Sequence, residues 1–339
     1  MEPLALFYDE PEHDRWVPGD RYPRRIIRHL LRGAPRPGGQ KMVFLNLCAG
    51  LDRIGVPYRV NDYAYLRRSP DMLACVVGKP FVLERFHGPN PILFGAAVFS
   101  HPSDDPDLFE RLPVKRILVP GPWIRDMFVE AYGPERVHAW PVGIDTDHWK
   151  PVAGEKDVDV LLYNKVLWNK AATVSAIVDP VRASLEARGL KVETLTYGSY
   201  QPGQFRALLA RSRSMVFICE HETQGMAYQQ ALASGVPILA WRGAREWIDP
   251  EYWPHRVRFG PVTAVPYWDD RCGLRYDDVA DFDGKLDQFL EGVREGRYAP
   301  RDYVLEHLTL ERCARLYLDQ VAVVSGERDH GKAAAHRLQ

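Results

Sequence analysis

His221–Pro237 reads HETQGMAYQQALASGVP, and this stretch decides the fold. It follows a bare apolar run, Met215–Cys219 (MVFIC), and leads into a second, Val236–Trp241 (VPILAW). Short apolar runs bounded by polar residues are what a strand buried on both faces presents. Between them, Ala227–Ser234 has helical composition and stops at Gly235, with Pro237 just beyond, the usual punctuation of a helix end. A strand, a short polar loop, a helix and a strand make one βαβ unit, and hence a parallel sheet. In an open parallel sheet, ligands bind outside the carboxyl ends of the strands. Glu222 lies there. The backbone amides of Thr223, Gln224, Gly225 and Met226 stand at the helix N-terminus, where an anion is favoured. Read locally, the same residues also suit a surface loop with a glycine turn.

The same alternation extends in both directions. Val158–Tyr163 (VDVLLY) reads as a central strand, followed by a helix over Val174–Arg188, a strand over Val192–Tyr197 and a helix over Gln201–Arg211. The loop after the first of these strands, Tyr163–Lys170 (YNKVLWNK), holds two of the chain's 10 lysines, Lys165 and Lys170. Two ammonium groups at a strand's carboxyl end suit a diphosphate; two solvated lysines are the alternative.

In the N-terminal half, Leu4–Tyr8, Tyr58–Asn61, Phe81–Leu83, Ala96–Phe99 and Arg116–Val119 read as strands. Val43, Phe44, Leu47 and Leu51 mark one face of a helix after Gly38-Gly39, and Trp123–Tyr132 reads as another. Gly38 and Gly39 let a backbone approach a ligand closely. Asp9–Pro37 is rich in proline and expected to be mostly loop. Within it, Arg21–Arg32 (RYPRRIIRHLLR) is basic and amphipathic, which suits either an anionic membrane surface or a solvated segment packed on the first domain. Asp145 and Asp147 in WPVGIDTDHW have the spacing of an acidic metal motif, but without further acidic ligands nearby a turn is the expected reading.

Length and composition bound the rest. At roughly 100–200 residues per domain, 339 residues suggest two domains. The residues are 46% apolar and 26% charged, ordinary for a globular protein, and the net charge of -1 excludes a strongly basic nucleic-acid binder by composition. No apolar run approaches the roughly 18–20 residues that span a bilayer. The acidic opening MEPLALFYDEPEHD is not that of a signal peptide. The five cysteines, Cys48, Cys75, Cys219, Cys272 and Cys313, never fall in CxxC spacing. They encode neither a disulfide framework nor a zinc site, so a cytoplasmic location is expected.

Taken in order, GGQKMVFLNLCAGLDRIGVPY, ILVPGPWIRDMF, WPVGIDTDHWKP, NKVLWNK, HETQGMAYQQALASGVPILAW, CGLRYDDVADFDGKLDQFLEGV and LTLERCARLYLDQV resemble the retaining GT-B-fold glycosyltransferases of family 4. The resemblance covers most of residues 38–324. It implies an acceptor domain over 1–145 and a nucleotide-sugar domain over 146–307, both Rossmann-like and facing a cleft. It further implies a crossover helix over 308–324 that returns to the first domain; the polar, Ala/Gly-rich tail over 325–339 is expected from its composition to be disordered. It also implies transfer of a sugar from a UDP- or GDP-sugar to a glycan, lipid-linked or small-molecule acceptor, with retention and without a metal. In that scheme Lys165 and Lys170 hold the diphosphate, Glu222 meets the donor sugar, and Gln230 meets the ribose. Gly38 and Gly39 approach the diphosphate or acceptor, and His87 or His101 lines the reacting face. This sequence departs from the family pattern at Lys165, where an arginine is usual, and at Gln230, where a second glutamate is usual. A sugar-nucleotide epimerase, a phosphorylase or a non-catalytic binding relative would share the fold.

Overall fold

The computed structural model describes residues 2–10, 38–96 and 98–326. The basic segment Arg21–Arg32 and most of the tail lie outside the described residues. The chain divides into two compact units, and neither is a single run of chain. The first holds the described residues up to Val119, Phe128–Trp140 and those from Ala314 on; the second holds Pro120–Met127 and Pro141–Cys313.

Among the described residues, the first unit has six strands: β1 (Leu4–Phe7), β2 (Tyr58–Val60), β3 (Ala74–Val76), β4 (Ile92–Gly95), β5 (Val114–Val119) and β6 (Val137–Ala139). All pair in parallel, in the order β2-β1-β3-β4-β5-β6. Helices α1 (Gly39–Arg53), α2 (Tyr63–Arg68), α3 (Leu108–Arg111) and α4 (Pro122–Tyr132) follow in chain order. β3 and β4 are buried along their whole length, the mark of a sheet covered on both faces.

The second unit has β7 (Val158–Asn164), β8 (Val192–Thr196), β9 (Ser212–Ile218), β10 (Ile238–Trp241) and β11 (Gly273–Tyr276), all parallel, in the order β11-β10-β9-β7-β8. Its helices are α5 (Lys170–Thr173), α6 (Asp179–Ala187), α7 (Pro202–Arg211), α8 (Met226–Ala233), α9 (Val279–Arg294) and α10 (Pro300–His307). A last helix, α11 (Leu310–Val324), begins in the second unit and ends in the first. There Tyr317 is fully buried with its ring 5.1 Å from that of Trp140, and Gln320 accepts a hydrogen bond from Arg116 at 2.7 Å.

Alternation along β7 builds two cores. Leu161 and Tyr163 join Phe205 and Leu209 of α7 and Tyr228 and Leu232 of α8 on one face. Val160 and Leu162 join Val181 and Leu185 of α6 and Phe282, Leu286 and Phe289 of α9 on the other. A strand so sandwiched needs an apolar side chain on both sides, which is why β7 reads as a continuous apolar run. In each sheet the first strand lies between the second and third, so the winding direction reverses beside β1 and beside β7. Ligands of doubly wound sheets bind outside the carboxyl ends at such reversals.

Several expected elements differ. Phe81–Leu83 is not a strand; it lies in a 3₁₀-helix, Pro80–Arg85, because Pro80 fixes a helical φ and lacks the N–H a ladder would use. The strand near Ala96–Phe99 ends instead at Gly95. The helix expected over Val174–Arg188 opens with a π-helical turn, Val174–Val178, just before Pro180, which has no N–H for the i→i−4 ladder. The short strands β3, β6 and β11 were not anticipated.

Candidate functional site

Lys165 and Glu222 meet where the second sheet reverses. Lys165 follows β7 directly, and its N–H donates to Ile218 O of β9 at 2.8 Å, continuing the ladder by one residue. Glu222 lies four residues past the end of β9. Its own N–H donates to Thr263 O at 3.0 Å, and its carbonyl accepts from Trp123 Nε1 at 2.7 Å. With both backbones fixed, Lys165 Nζ donates to Glu222 Oε1 in an ion pair whose side chains are only 14% and 9% exposed. Burial opposes the ammonium charge. The Glu222 carboxylate, with Cys219 behind it, more than offsets that, so the lysine pKa is held above its ordinary value. The ammonium also stands 4.6 Å from the centre of the half-exposed Tyr197 ring, which follows β8.

The turn after Glu222 starts α8. Gly225 caps this helix at φ 77, where a Cβ would fall 2.1 Å from a carbon of the fully buried Tyr228 ring. Glycine is therefore required at this point. The first-turn amides of α8, beginning with Met226, have no partners within the helix. The Gln224 side chain, by contrast, is fully engaged. Its Oε1 accepts from Val142 N–H at 3.1 Å and its Nε2 donates to Gln229 Oε1 at 3.0 Å. Gln229 is itself completely buried. Gln224 thus ties the start of α8 to Val142, and its carbonyl in turn accepts from Gln229 Nε2 at 2.8 Å, so of its polar groups only the backbone N–H is left for a ligand. Gln230 lies midway along α8, half-buried.

Two further residues complete the strand end. His221 is buried, packs edge-on against Trp123 with ring centres 5.7 Å apart, and accepts from Ile248 N–H at Nε2 over 3.3 Å. Burial pushes its pKa down to about 4, so the ring is neutral near pH 7. Glu220 is 1% exposed, and its carboxylate accepts from the Leu167 and Trp168 amides at 3.0–3.1 Å. Sequence reasoning passed over Glu220. Its position, one residue beyond the apolar run of a buried strand, was the available signal.

The remaining candidates lie on other elements. Lys170 is the first residue of α5, exposed, five residues beyond Lys165. Gly38 caps α1 in extended backbone, with nothing among the described residues within 4 Å of a built Cβ, and Gly39 opens the helix. His87 is exposed. His101 caps a short 3₁₀-helix, with Nδ1 2.8 Å from Ser103 Oγ. These four belong to the first unit. Asp145 Oδ1 accepts from the amides of Asp147 and His148 at 3.1 and 3.2 Å, which makes the acidic pair a turn. Among the described residues, no three His, Cys, Asp or Glu side chains gather in a metal-binding group, and no helix is long and apolar enough to cross a membrane.

No family model matches the chain, and no curated protein matches it in sequence. Solved structures do resemble it. TarM superposes with a TM-score of 0.52 at 11% identity, covering 76% of this chain and 56% of TarM. An S. aureus TarM mutant in complex with Fondaparinux, alpha-GlcNAc-glycerol and UDP gives 0.52 at 12%, covering 76% and 57%. The apo form of the lipopolysaccharide outer core galactosyltransferase WaaB gives 0.50 at 10%, covering 84% and 82%. The chain thus spans little more than half the length of TarM. At such identities the likeness is one of fold, and with the two doubly wound parallel sheets it makes this a GT-B fold.

Proposed function

We propose that this chain is a retaining glycosyltransferase that moves a sugar from a nucleotide-sugar to an acceptor hydroxyl without a metal ion. The buried Lys165–Glu222 pair at the β7/β9 reversal, beside the N-terminus of α8, carries the reading. The reaction needs stabilisation where charge develops, on the departing nucleoside diphosphate. Lys165 supplies a buried positive charge there, Lys170 an exposed one, and the first amides of α8 add oriented dipoles. Together they supply what a divalent cation would otherwise contribute.

Lys165 is preorganised because Glu222 holds it before any ligand arrives. As diphosphate binds, the ammonium shares its donors between phosphate and carboxylate. Glu222 is then freed in part to accept from hydroxyls of the donor sugar. Gln230 faces the ribose with one acceptor and one donor. In the first unit, Gly38 and Gly39 serve diphosphate or acceptor, and His87 or His101 the reacting face. Retention rests on the resemblance to family 4.

A panel of UDP- and GDP-sugars, each incubated alone and with acceptor glycosides, tests this. One donor is expected to be consumed, slowly by water and faster with the right acceptor. NMR of the first product should show the anomeric configuration of the donor. An inverted product overturns retention; interconversion of donor sugars without loss of nucleotide points to an epimerase instead.

A further inference from the structure

Glu220 is a buried acid with no basic side chain among its hydrogen-bond partners in the described residues. Both of its carboxylate oxygens face backbone amides: Leu167 N–H lies 3.1 and 3.0 Å from the two, and Trp168 N–H lies 3.0 Å from Oε1. Those amides belong to the loop from β7 to α5. Past the ladder, the loop would otherwise leave them unpaired beside a buried strand end. Val166 N–H is satisfied locally by Asn164 Oδ1 at 3.0 Å, and Trp168 O accepts from Thr173 Oγ1 at 3.3 Å. Glu220 is fixed in turn from its other side. Its carbonyl accepts from Ala244 N–H at 2.6 Å, and Gly243, at φ 93, lies so close that a Cβ would meet that carbonyl oxygen at 2.1 Å. The loops that follow β7, β9 and β10 are thus joined through this one residue.

The two lysines depend on it unequally. Lys165 precedes the clamped amides and is held by Ile218 O and by Glu222. Lys170 follows them, after Asn169 in the left-handed region at φ 43, and its side chain has no hydrogen bond or ion pair of its own among the described residues. Its position is set by that loop together with the start of α5, where Thr173 N–H donates to Asn169 O at 3.0 Å. We infer that Glu220 is a positioning residue that sets Lys170 against the diphosphate by clamping the Leu167 and Trp168 amides. This rests on the transferase reading above. Charge-assisted hydrogen bonds to backbone amides are short and directional, so a carboxylate holds a loop more firmly than a neutral side chain would.

Glu220→Gln keeps the shape and one acceptor oxygen; Glu220→Leu removes both acceptors. Native-state hydrogen exchange on the full chain reads the clamp directly. Exchange at Leu167 and Trp168 should accelerate at least tenfold in Glu220→Leu and about fivefold in Glu220→Gln, with the β7 amides of Leu161–Tyr163 unchanged. In donor turnover, Glu220→Gln should lower kcat several-fold with little change in donor KM. The same substitution placed on Lys170→Ala should cost less than a further twofold, because the residue being positioned is already gone. A merely structural role would multiply the loss equally in both backgrounds, and that result overturns the assignment. Unchanged exchange at Leu167 and Trp168 overturns it as well, even if Glu220→Leu fails to fold, because Glu220→Gln carries the same test. If the wild-type chain consumes no nucleotide-sugar, the transferase reading falls, while the exchange result still decides whether the clamp exists.

Discussion

Replacing Lys165 by methionine isolates the buried ion pair. Methionine follows the lysine stem as far as Cε, with sulfur in place of Cδ, and lacks the ammonium and its donors. Glu222, 7% exposed, then holds a carboxylate that has lost its cation. Breaking a buried pair from one side typically costs about 3–5 kcal/mol, because an uncompensated charge stays buried. For a domain of 150–250 residues, about 2–4 °C of Tm is lost per kcal/mol, so a fall of roughly 6–20 °C is expected. Removing both charges should behave differently. Lys165→Met with Glu222→Leu leaves two apolar groups in the same space, and such replacements are often close to neutral, within about 1–2 kcal/mol. Urea denaturation of the wild type, both single variants and the double variant closes the cycle. The pH sign follows from the raised lysine pKa. The lysine's contribution is complete below its ordinary value near 10.5, and it is lost as alkaline pH rises through the higher folded value. A single variant within about 1 kcal/mol of wild type would mean that the pair is effectively solvated. A double variant as unstable as the singles would mean that packing, not charge, holds the strand ends together.

His221 makes an acid-side prediction. Its folded pKa of about 4 lies below the ordinary 6.5, so its stabilisation is present above pH 6.5 and lost as pH falls towards 4, up to about 3 kcal/mol. His221→Gln should flatten the stability profile in that window by a corresponding amount, as read by urea denaturation at pH 7 and 4.5. Gly225→Ala must place a Cβ at positive φ against Tyr228, and should lose on the order of 3 kcal/mol in the same assay. Gln230→Ala should weaken ribonucleoside diphosphate binding by about 1 kcal/mol in calorimetry and leave the 2′,3′-dideoxy analogue unchanged. Equal affinities for both would place Gln230 away from the ribose.

The central strands of the second sheet were legible because they are buried on both faces. Val158–Asn164 and Ser212–Ile218 therefore appear as apolar runs broken by charge at their ends. The first sheet was harder to read. Ala74–Val76 and Val137–Ala139 are only three residues long, too short for any period to show. Phe81–Leu83 has the composition of a strand, and only Pro80 marks it as a turn of helix. Lys165 and Glu222 could each be singled out, because polar residues just past buried strands recur at ligand sites. That they pair across 57 residues follows from the order β9-β7, which no local pattern carries. Gln224 shows the limit most clearly. It sits amid a glycine turn that looks made for a ligand, yet its side chain is engaged by Val142, 82 residues away.

Calorimetric titration of UDP and GDP in excess EDTA, against the wild type, Lys165→Met and Lys170→Ala, tests the diphosphate site most directly. The wild type should bind one of the two nucleotides in EDTA. Lys165→Met should lose at least tenfold in affinity, and Lys170→Ala less, since a buried charge acts through a lower dielectric than an exposed one. The corresponding nucleoside, lacking phosphates, should bind all three proteins alike. Binding that vanishes in EDTA and returns with manganese, or nucleotide affinity indifferent to both lysines, would contradict the account.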